Sequence, residues 1–319
     1  MEVKKITDIP GIRIGNAQDL NAGTGCTVII CEQGAVAGVD VRGGSPGTRE
    51  TDLLRSENQV DKVHGVFFAG GSAFGLDAAA GIMQYLEEKG VGFDVGVTKV
   101  PIVSGAILFD LICGDHRIRP DKAMGYQACL ASENQGFSEG SVGAGTGATV
   151  GKFFGVEHAM KGGLGSYCIR TGNLMVGAVV AVNCLGDVID PNSGVTLAGA
   201  YNENPFSFMV TEEGMIEYGT KKTNVFSGNT TIGAVITNAA LTKTQANKAA
   251  SMAHNGYART IRPAHTMYDG DTVFVLATGS VEADTSVVGL LAARVMEQAV
   301  INAVTNATSL FGFKAYSDL

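Results

Sequence analysis

Ser227-Gly228-Asn229-Thr230-Thr231-Ile232 sets two threonine hydroxyls directly after a Gly-Asn pair, at the mouth of an apolar run. A hydroxyl is a weak nucleophile until a base takes its proton. If the peptide bond before Thr230 is cut, the new α-amine sits on the residue that carries the hydroxyl, so base and nucleophile arrive together. Such an amine has a reference pKa of roughly 7.7–8.0, and a useful fraction is neutral near pH 7, whereas a lysine needs a large shift to do the same work. β-Branching also restricts χ1 of Thr230 and narrows where its Oγ1 points. Spacing alone favours a plainer account: Asn tolerates left-handed dihedrals and Thr likes strands, so the block reads first as a hairpin turn.

Other chemical motifs fail on their context. Gly143-Ala-Gly145-Thr-Gly-Ala148 matches the dinucleotide pattern GxGxxA, but polar Ser132–Ser141 precedes it and Thr149–Gly155 after it does not read as a helix. Gly151-Lys152 follows, yet Thr146 stands where a P-loop needs Gly and Phe153 where it needs Ser or Thr. In Gly70-Gly-Ser72-Ala-Phe-Gly75, Phe74 occupies the second glycine of a nucleophile elbow, which leaves a close strand-to-helix turn. His265, Asp269 and Asp271 lie within seven residues, and Asp115-His116 follows Cys113, but neither has a standard metal spacing. Asp269-Gly270-Asp271 is equally an ordinary turn into a strand. No cofactor and no metal are expected.

The elements that must position these residues are partly legible. Apolar runs at Cys26–Cys31, Ala35–Val41, Gly65–Ala69, Leu174–Leu185, Thr231–Thr237 and Thr272–Ala277 predict strands, several of them apolar on both faces and so covered on both sides. Three helices are predicted. Phe74–Lys89 carries Leu76, Ala79, Ala80, Met83 and Leu86 on one face and stops at Gly90. Thr242–Thr260 opens on the capping-box pattern Thr242-Lys-Thr-Gln245 and aligns Ala246, Ala249, Ala250, Ala253 and Tyr257. Asp284–Thr308 is apolar at Val287, Leu291, Val295, Ala299 and Val300 and nearly so all round, as for a helix pressed between layers.

Composition narrows the class. The 319 residues hold 45% hydrophobic and 17% charged side chains, and 44 glycines, roughly twice the usual share, fall between apolar runs as turn and close-contact positions. No linker or repeat divides the chain, so one domain is expected. A net charge of −8 without a basic stripe argues against nucleic acid as a partner. Neither a signal-like N-terminus nor an apolar run near eighteen residues is evident, and the six cysteines form no CxxC pair, so a cytoplasmic protein with buried thiols and no membrane partner is expected.

Five blocks, in order, change the weight given to Thr230: Gly70-Gly-Ser-Ala-Phe-Gly-Leu-Asp77; Val100-Pro-Ile-Val with Ile107-Leu-Phe-Asp-Leu111; Gly143–Ala148 with Lys152; Asn229-Thr-Thr-Ile232; and Arg262-Pro-Ala-His-Thr with Asp269-Gly-Asp-Thr272. Together they resemble the P1 peptidase family, which includes the L-aminopeptidase/D-esterase, the β-aminopeptidases and the nylon-oligomer hydrolase. The resemblance implies an α+β fold, a four-layer αββα sandwich of the N-terminal-nucleophile type. It also implies a precursor that cuts itself between Asn229 and Thr230, giving an α chain of residues 1–229 and a β chain of 230–319. On the same ground Asp269 and Asp271 are an acidic pair near the nucleophile, one orienting Thr230 and holding its ammonium while the other tunes the first. Lys152 supplies positive charge beside it. Asn183, a polar residue inside Val179–Cys184, serves as an oxyanion donor or makes a structural hydrogen bond. Phe109 stands where characterised relatives carry a tyrosine, a departure from the pattern.

The implied activity is hydrolysis of short peptide or amide substrates through a Thr230 acyl-enzyme, in a homo-oligomer such as a tetramer of αβ units. Acyl transfer of the ornithine acetyltransferase type, and an uncleaved non-catalytic relative, remain alternatives.

Overall fold

The computed structural model describes residues 1–134, 136–218 and 228–319, so Ser227, the first residue of the Gly-Asn-Thr block, lies outside the described residues. The main sheet comprises β1 (Glu2–Lys4), β2 (Arg13–Asp19), β3 (Thr24–Val41), β4 (Thr48–Arg49), β5 (Lys62–Ala69), β6 (Val103–Ile107), β7 (Gly163–Thr171), β8 (Leu174–Asn183), β9 (Thr230–Ala239) and β10 (Thr272–Val281). The α-helices are α1 (Ala78–Glu88), α2 (Lys122–Ala131), α3 (Thr211–Tyr218), α4 (Lys243–Thr260) and α5 (Thr285–Thr305). The chain is thus a mixed α/β fold.

Strand β3 organises the sheet. The expected pair of strands, Cys26–Cys31 and Ala35–Val41, is one 18-residue strand. Its first half pairs with β2 on one edge and β5 on the other; its second half pairs with β10. The register with β5 shifts between Ile30 and Ala35, where Gly34 takes φ +73°. Glu32-Gln33-Gly34 has the composition of a turn but forms an irregularity inside a continuous strand. The sheet order is β1, β7, β8, β9, β10, β3, β5, β6, β4, with β2 on β3.

Three apolar clusters fill the space around this sheet. Val176, Val180, Val235 and Val275 pack with Ala249, Tyr257, Val295 and Val300 of α4 and α5. Cys26, Val28 and Phe67 pack with Ile82, Tyr85, Leu86 and Ala128 of α1 and α2. The opposite faces of both halves contribute Ile14, Ile29, Phe68, Val179, Ile232 and Phe274 to a third cluster. All six cysteines are buried and unbridged.

The helix expectations need adjustment. The segment Ser72–Asp77 is a 3-10 turn with Phe74 exposed, and α1 begins only at Ala78. Its buried face is therefore Ala78, Ala79, Ile82, Tyr85 and Leu86, while Ala80 and Met83 are half-buried. In α4 the Thr242–Gln245 capping box forms as expected. Helix α5 stops at Thr305 behind an Asp284 N-cap, and Val287 and Leu290 are exposed, so one side of it is open. By length and composition α5 could cross a membrane; here its other side packs on α4, β7 and β8.

Pairing around β9 decides where chemistry can occur. β8 and β9 are antiparallel, placing Asn183, the last residue of one, opposite Thr230, the first of the other. β9 and β10 are parallel, joined through α4, so both begin at the same sheet end and Ile232 faces Thr272. Residues 40 positions apart in the chain meet there because of strand direction, not sequence proximity.

Candidate active site

Thr230 opens β9 and is buried. Its Oγ1 donates to the carbonyl oxygen of Asn229, the residue before it. The same oxygen accepts the Gly270 backbone N–H at 2.9 Å. Asn229 and Asp269 form an isolated parallel bridge that aligns these groups. Gly270 has no room for a side chain: a Cβ there would lie 2.7 Å from Thr230 Oγ1 and 2.9 Å from the Ser45 carbonyl oxygen. The turn 265–271 is held from outside by the strap after β3, through Arg42 N to Asp271 O (2.9 Å), Gly44 N to Thr266 O (3.1 Å) and Ser45 N to Asp269 O (2.8 Å).

Lys152 and Asn183 form a buried unit beside Thr230. Lys152 Nζ donates to Thr149 O (2.9 Å), Asn183 O (2.9 Å) and Asn183 Oδ1 (3.0 Å), which occupies all three ammonium hydrogens. Loss of solvent pushes its pKa down to about 8. Asn183 Oδ1 also accepts Thr149 N at 2.9 Å, and its Nδ2 donates to the carbonyls of Phe109 (3.0 Å) and Gly228 (3.2 Å). Phe109 therefore enters the site through its backbone, whatever its ring does.

The two carboxylates have different settings. Asp269 is fully buried, accepting Leu185 N at 3.2 Å on Oδ1 and the Thr266 backbone and hydroxyl on Oδ2. Burial, and then the charge of Asp271, raise its pKa to about 6. Asp271 accepts Thr231 N at 2.8 Å on Oδ1, and the backbone N and ring Nδ1 of His265, both at 2.9 Å, on Oδ2. Among the hydrogen bonds of the described residues, Asp271 holds the Thr231 amide next to Thr230 while Asp269 holds Leu185 and Thr266, and neither carboxylate bonds Thr230 itself. His265 and Asp271, considered above for a metal, meet as hydrogen-bond partners.

Three features escaped the sequence. The Gly270 N–H is a backbone donor, with no residue-type signature. Lys161 is fully buried, donating to Thr146 O (2.8 Å) and Ala148 O (2.7 Å), and burial lowers its pKa to about 8. Its position inside Ala159-Met160-Lys161-Gly162-Gly163-Leu164 was the available signal. Asp110, buried and raised to about 6, accepts Thr24 Oγ1 (2.7 Å) and Gly71 N (2.6 Å). A Cβ on Gly70 would fall 1.8 Å from Asp110 Oδ2, which explains that block as a tight turn built around a carboxylate.

A profile of peptidase family S58 matches residues 4–317. An uncharacterised aminopeptidase of Mycobacterium leprae is 41% identical over 347 residues, covering 98% of this chain and 93% of its own. A 6-aminohexanoate-oligomer endohydrolase of Agromyces sp. is 31% identical over 316 residues, covering 93% of this chain and 84% of its own. Among solved structures, the L-aminopeptidase D-Ala-esterase/amidase of Ochrobactrum anthropi, described as a variant of the Ntn hydrolase fold, superposes with a TM-score of 0.72 at 18% identity, covering 96% of this chain and 87% of its own. The protein is a hydrolase acting on amide bonds. It belongs to peptidase family S58.

Proposed function

We propose that the chain is a self-processing amide hydrolase whose nucleophile is Thr230, released as a new N-terminus by cleavage after Asn229. The observation that carries this reading is the Asn229 carbonyl, which meets both the Thr230 hydroxyl and the Gly270 N–H. In the self-cleavage step Thr230 Oγ1 attacks the Asn229 carbonyl carbon, and negative charge developing on the oxygen is stabilised by the Gly270 N–H. Collapse breaks the C–N bond, the hydroxyl proton ends on the Thr230 nitrogen, and an ester remains. Water hydrolyses it to an α chain of residues 1–229 with a new carboxylate and a β chain of 230–319 with a free amine.

In the mature enzyme the Thr230 amine takes the proton of its own hydroxyl as Oγ1 attacks a substrate amide, the leaving amine is protonated, and water clears the acyl-enzyme. Departure of the segment ending at Asn229 exposes donors that the uncut chain occupies: Gly270 N–H from Asn229 O, and Asn183 Nδ2 from Gly228 O. Asn183 thereby acts as oxyanion donor, Lys152 fixes its orientation, and the Asp269–Asp271 pair holds the turn and offers negative charge to the Thr230 ammonium.

The three clusters, two under helices and one between sheet halves, support the four-layer αββα reading. The same reading makes the αβ unit cytoplasmic, with a small peptide or amide as substrate, and assembled as a homo-oligomer. Exposed Phe93, Val95, Val97 and Val100 around one hairpin favour such assembly. Denaturing mass spectrometry of fresh and aged protein tests processing, and aminoacyl-anilide turnover by the same samples tests hydrolysis.

A further inference from the structure

On the α4 side of β9 and β10 the side chains of His265, His254 and Tyr257 gather against Asp271, and the hydrolytic scheme gives those three residues no role. Both N–H groups of His265, backbone and ring Nδ1, converge at 2.9 Å on one oxygen of Asp271, while the other oxygen takes Thr231 N at 2.8 Å. The carboxylate bridges His265 to the peptide that follows Thr230. His265 adopts φ +61°, a left-handed conformation uncommon outside glycine. Its ring stands edge-on to His254, with centroids 4.7 Å apart, and 6.2 Å from Tyr257. His254 is fixed in turn by Nε2 donating to Asp40 O at 2.9 Å.

The cluster is kept at a cost. Among the described residues, His265 Nε2, His254 Nδ1, Tyr257 Oη and Thr231 Oγ1 are buried without a hydrogen-bond partner, and each has given up its water without a protein partner in return. Apolar side chains would pack here more cheaply. A strained backbone and unpaired polar atoms maintained next to a reacting group form the pattern of a device that orients it.

We propose that His265 is a positioning residue for Thr230: by clamping Asp271 with two N–H donors it fixes the Thr231 amide, and so the angle that Thr230 Oγ1 presents to the peptide bond it cuts. This rests on the reading of Thr230 as nucleophile. Two substitutions separate positioning from folding. His265→Gly suits the left-handed backbone and keeps the main-chain N–H but deletes the ring donor. His265→Asn also tolerates that backbone and restores a side-chain N–H.

Conversion of the purified 319-residue chain into two fragments is followed over time, with thermal melts as the folding control. The glycine variant should melt near the wild-type temperature yet cut about 10- to 100-fold more slowly, the range for one hydrogen bond to a charged group. The asparagine variant should recover to within about fivefold of wild type. A glycine variant that cuts at the wild-type rate, or an asparagine variant no faster than glycine, overturns the proposal. Thr230→Ala runs alongside: cleavage in that variant, or an uncut wild type, overturns the nucleophile reading and this proposal with it. An inert Thr230→Ala beside a fully active glycine variant overturns the positioning role alone.

Discussion

Replacing Gly270 by Ala tests the geometry of the reacting group without deleting any hydrogen-bonding atom. The N–H that reaches Asn229 O at 2.9 Å is retained, while the added methyl would sit 2.7 Å from Thr230 Oγ1 and 2.9 Å from the Ser45 carbonyl oxygen. Ordinary contact to a methyl needs more than 3.4 Å, so the hydroxyl or the turn must give by roughly 0.5–1 Å. Overpacking of this kind costs about 1–3 kcal/mol of stability, and a misplacement near 1 Å at a reacting centre costs on the order of 100-fold in rate. Gly65→Ala is the matched control, since its new methyl would meet nothing closer than 3.6 Å inside the same sheet. The assay is the half-time of fragment appearance from purified precursor at a temperature where both variants remain folded by circular dichroism. If Gly270→Ala self-cleaves as fast as Gly65→Ala, the cluster of Thr230 Oγ1, Asn229 O and Gly270 N is not the reacting arrangement.

Other outcomes follow from the same geometry. Thr230→Ala should abolish processing and anilide turnover together, whereas Thr230→Ser should keep both at reduced rate; retained cleavage in the alanine variant points to another nucleophile. Asn183→Ala strands the Thr149 N–H and leaves Lys152 one acceptor short, so urea unfolding should report a loss of about 2–4 kcal/mol, and any residual turnover should fall about 100- to 1000-fold; an unchanged midpoint contradicts the role assigned to the Lys152–Asn183 unit. The buried lysines also set a pH signature. Lys152 and Lys161 have folded pKa values lowered to about 8 from 10.5, so above pH 8 the unfolded chain holds more protons at these two sites and their contribution to stability rises with pH. Between pH 8 and 9 the thiols oppose this, because burial raises their folded pKa values and the unfolded chain gives up those protons first, so the lysine share is read as the difference between wild type and a lysine variant. Each lysine should add about 1 kcal/mol across that unit, and Lys161→Met should remove its share of the slope; an identical slope in the variant refutes a charged, desolvated Lys161.

What the sequence revealed depended on whether local chemistry or long-range pairing fixed the feature. Helix α4 was legible because Thr242 and Gln245 carry their own start signal and the alanines repeat at helical spacing. The face of α1 was misplaced because a 3-10 turn consumes Ser72–Asp77 before the α-helical period begins. Strand β3 was split because Glu32-Gln33-Gly34 has turn composition, and only its two sets of partners make it continuous. β2 and β7 were missed, as glycines and polar residues interrupt their alternation, and α2 is short with Gly125 in its interior. At the site, Thr230, Asn183, Lys152, Asp269 and Asp271 were named together through family blocks; their spacing carries no such information, since strand direction brings Thr230, Asn183 and the turn before β10 to one sheet end and buried hydrogen bonds tie Lys152 to Asn183. The Gly270 donor and the His265–His254–Tyr257 cluster were beyond reach, because a backbone N–H and a three-dimensional packing of rings leave no linear pattern.

The account turns on whether the bond after Asn229 is cut. Intact-mass measurement of freshly purified protein under denaturing conditions, repeated after incubation, reads this directly. The account predicts two species, residues 1–229 ending in a free carboxylate and residues 230–319 beginning with an unmodified threonine amine. A single 319-residue mass that persists on ageing, or fragments joining anywhere other than 229/230, contradicts it.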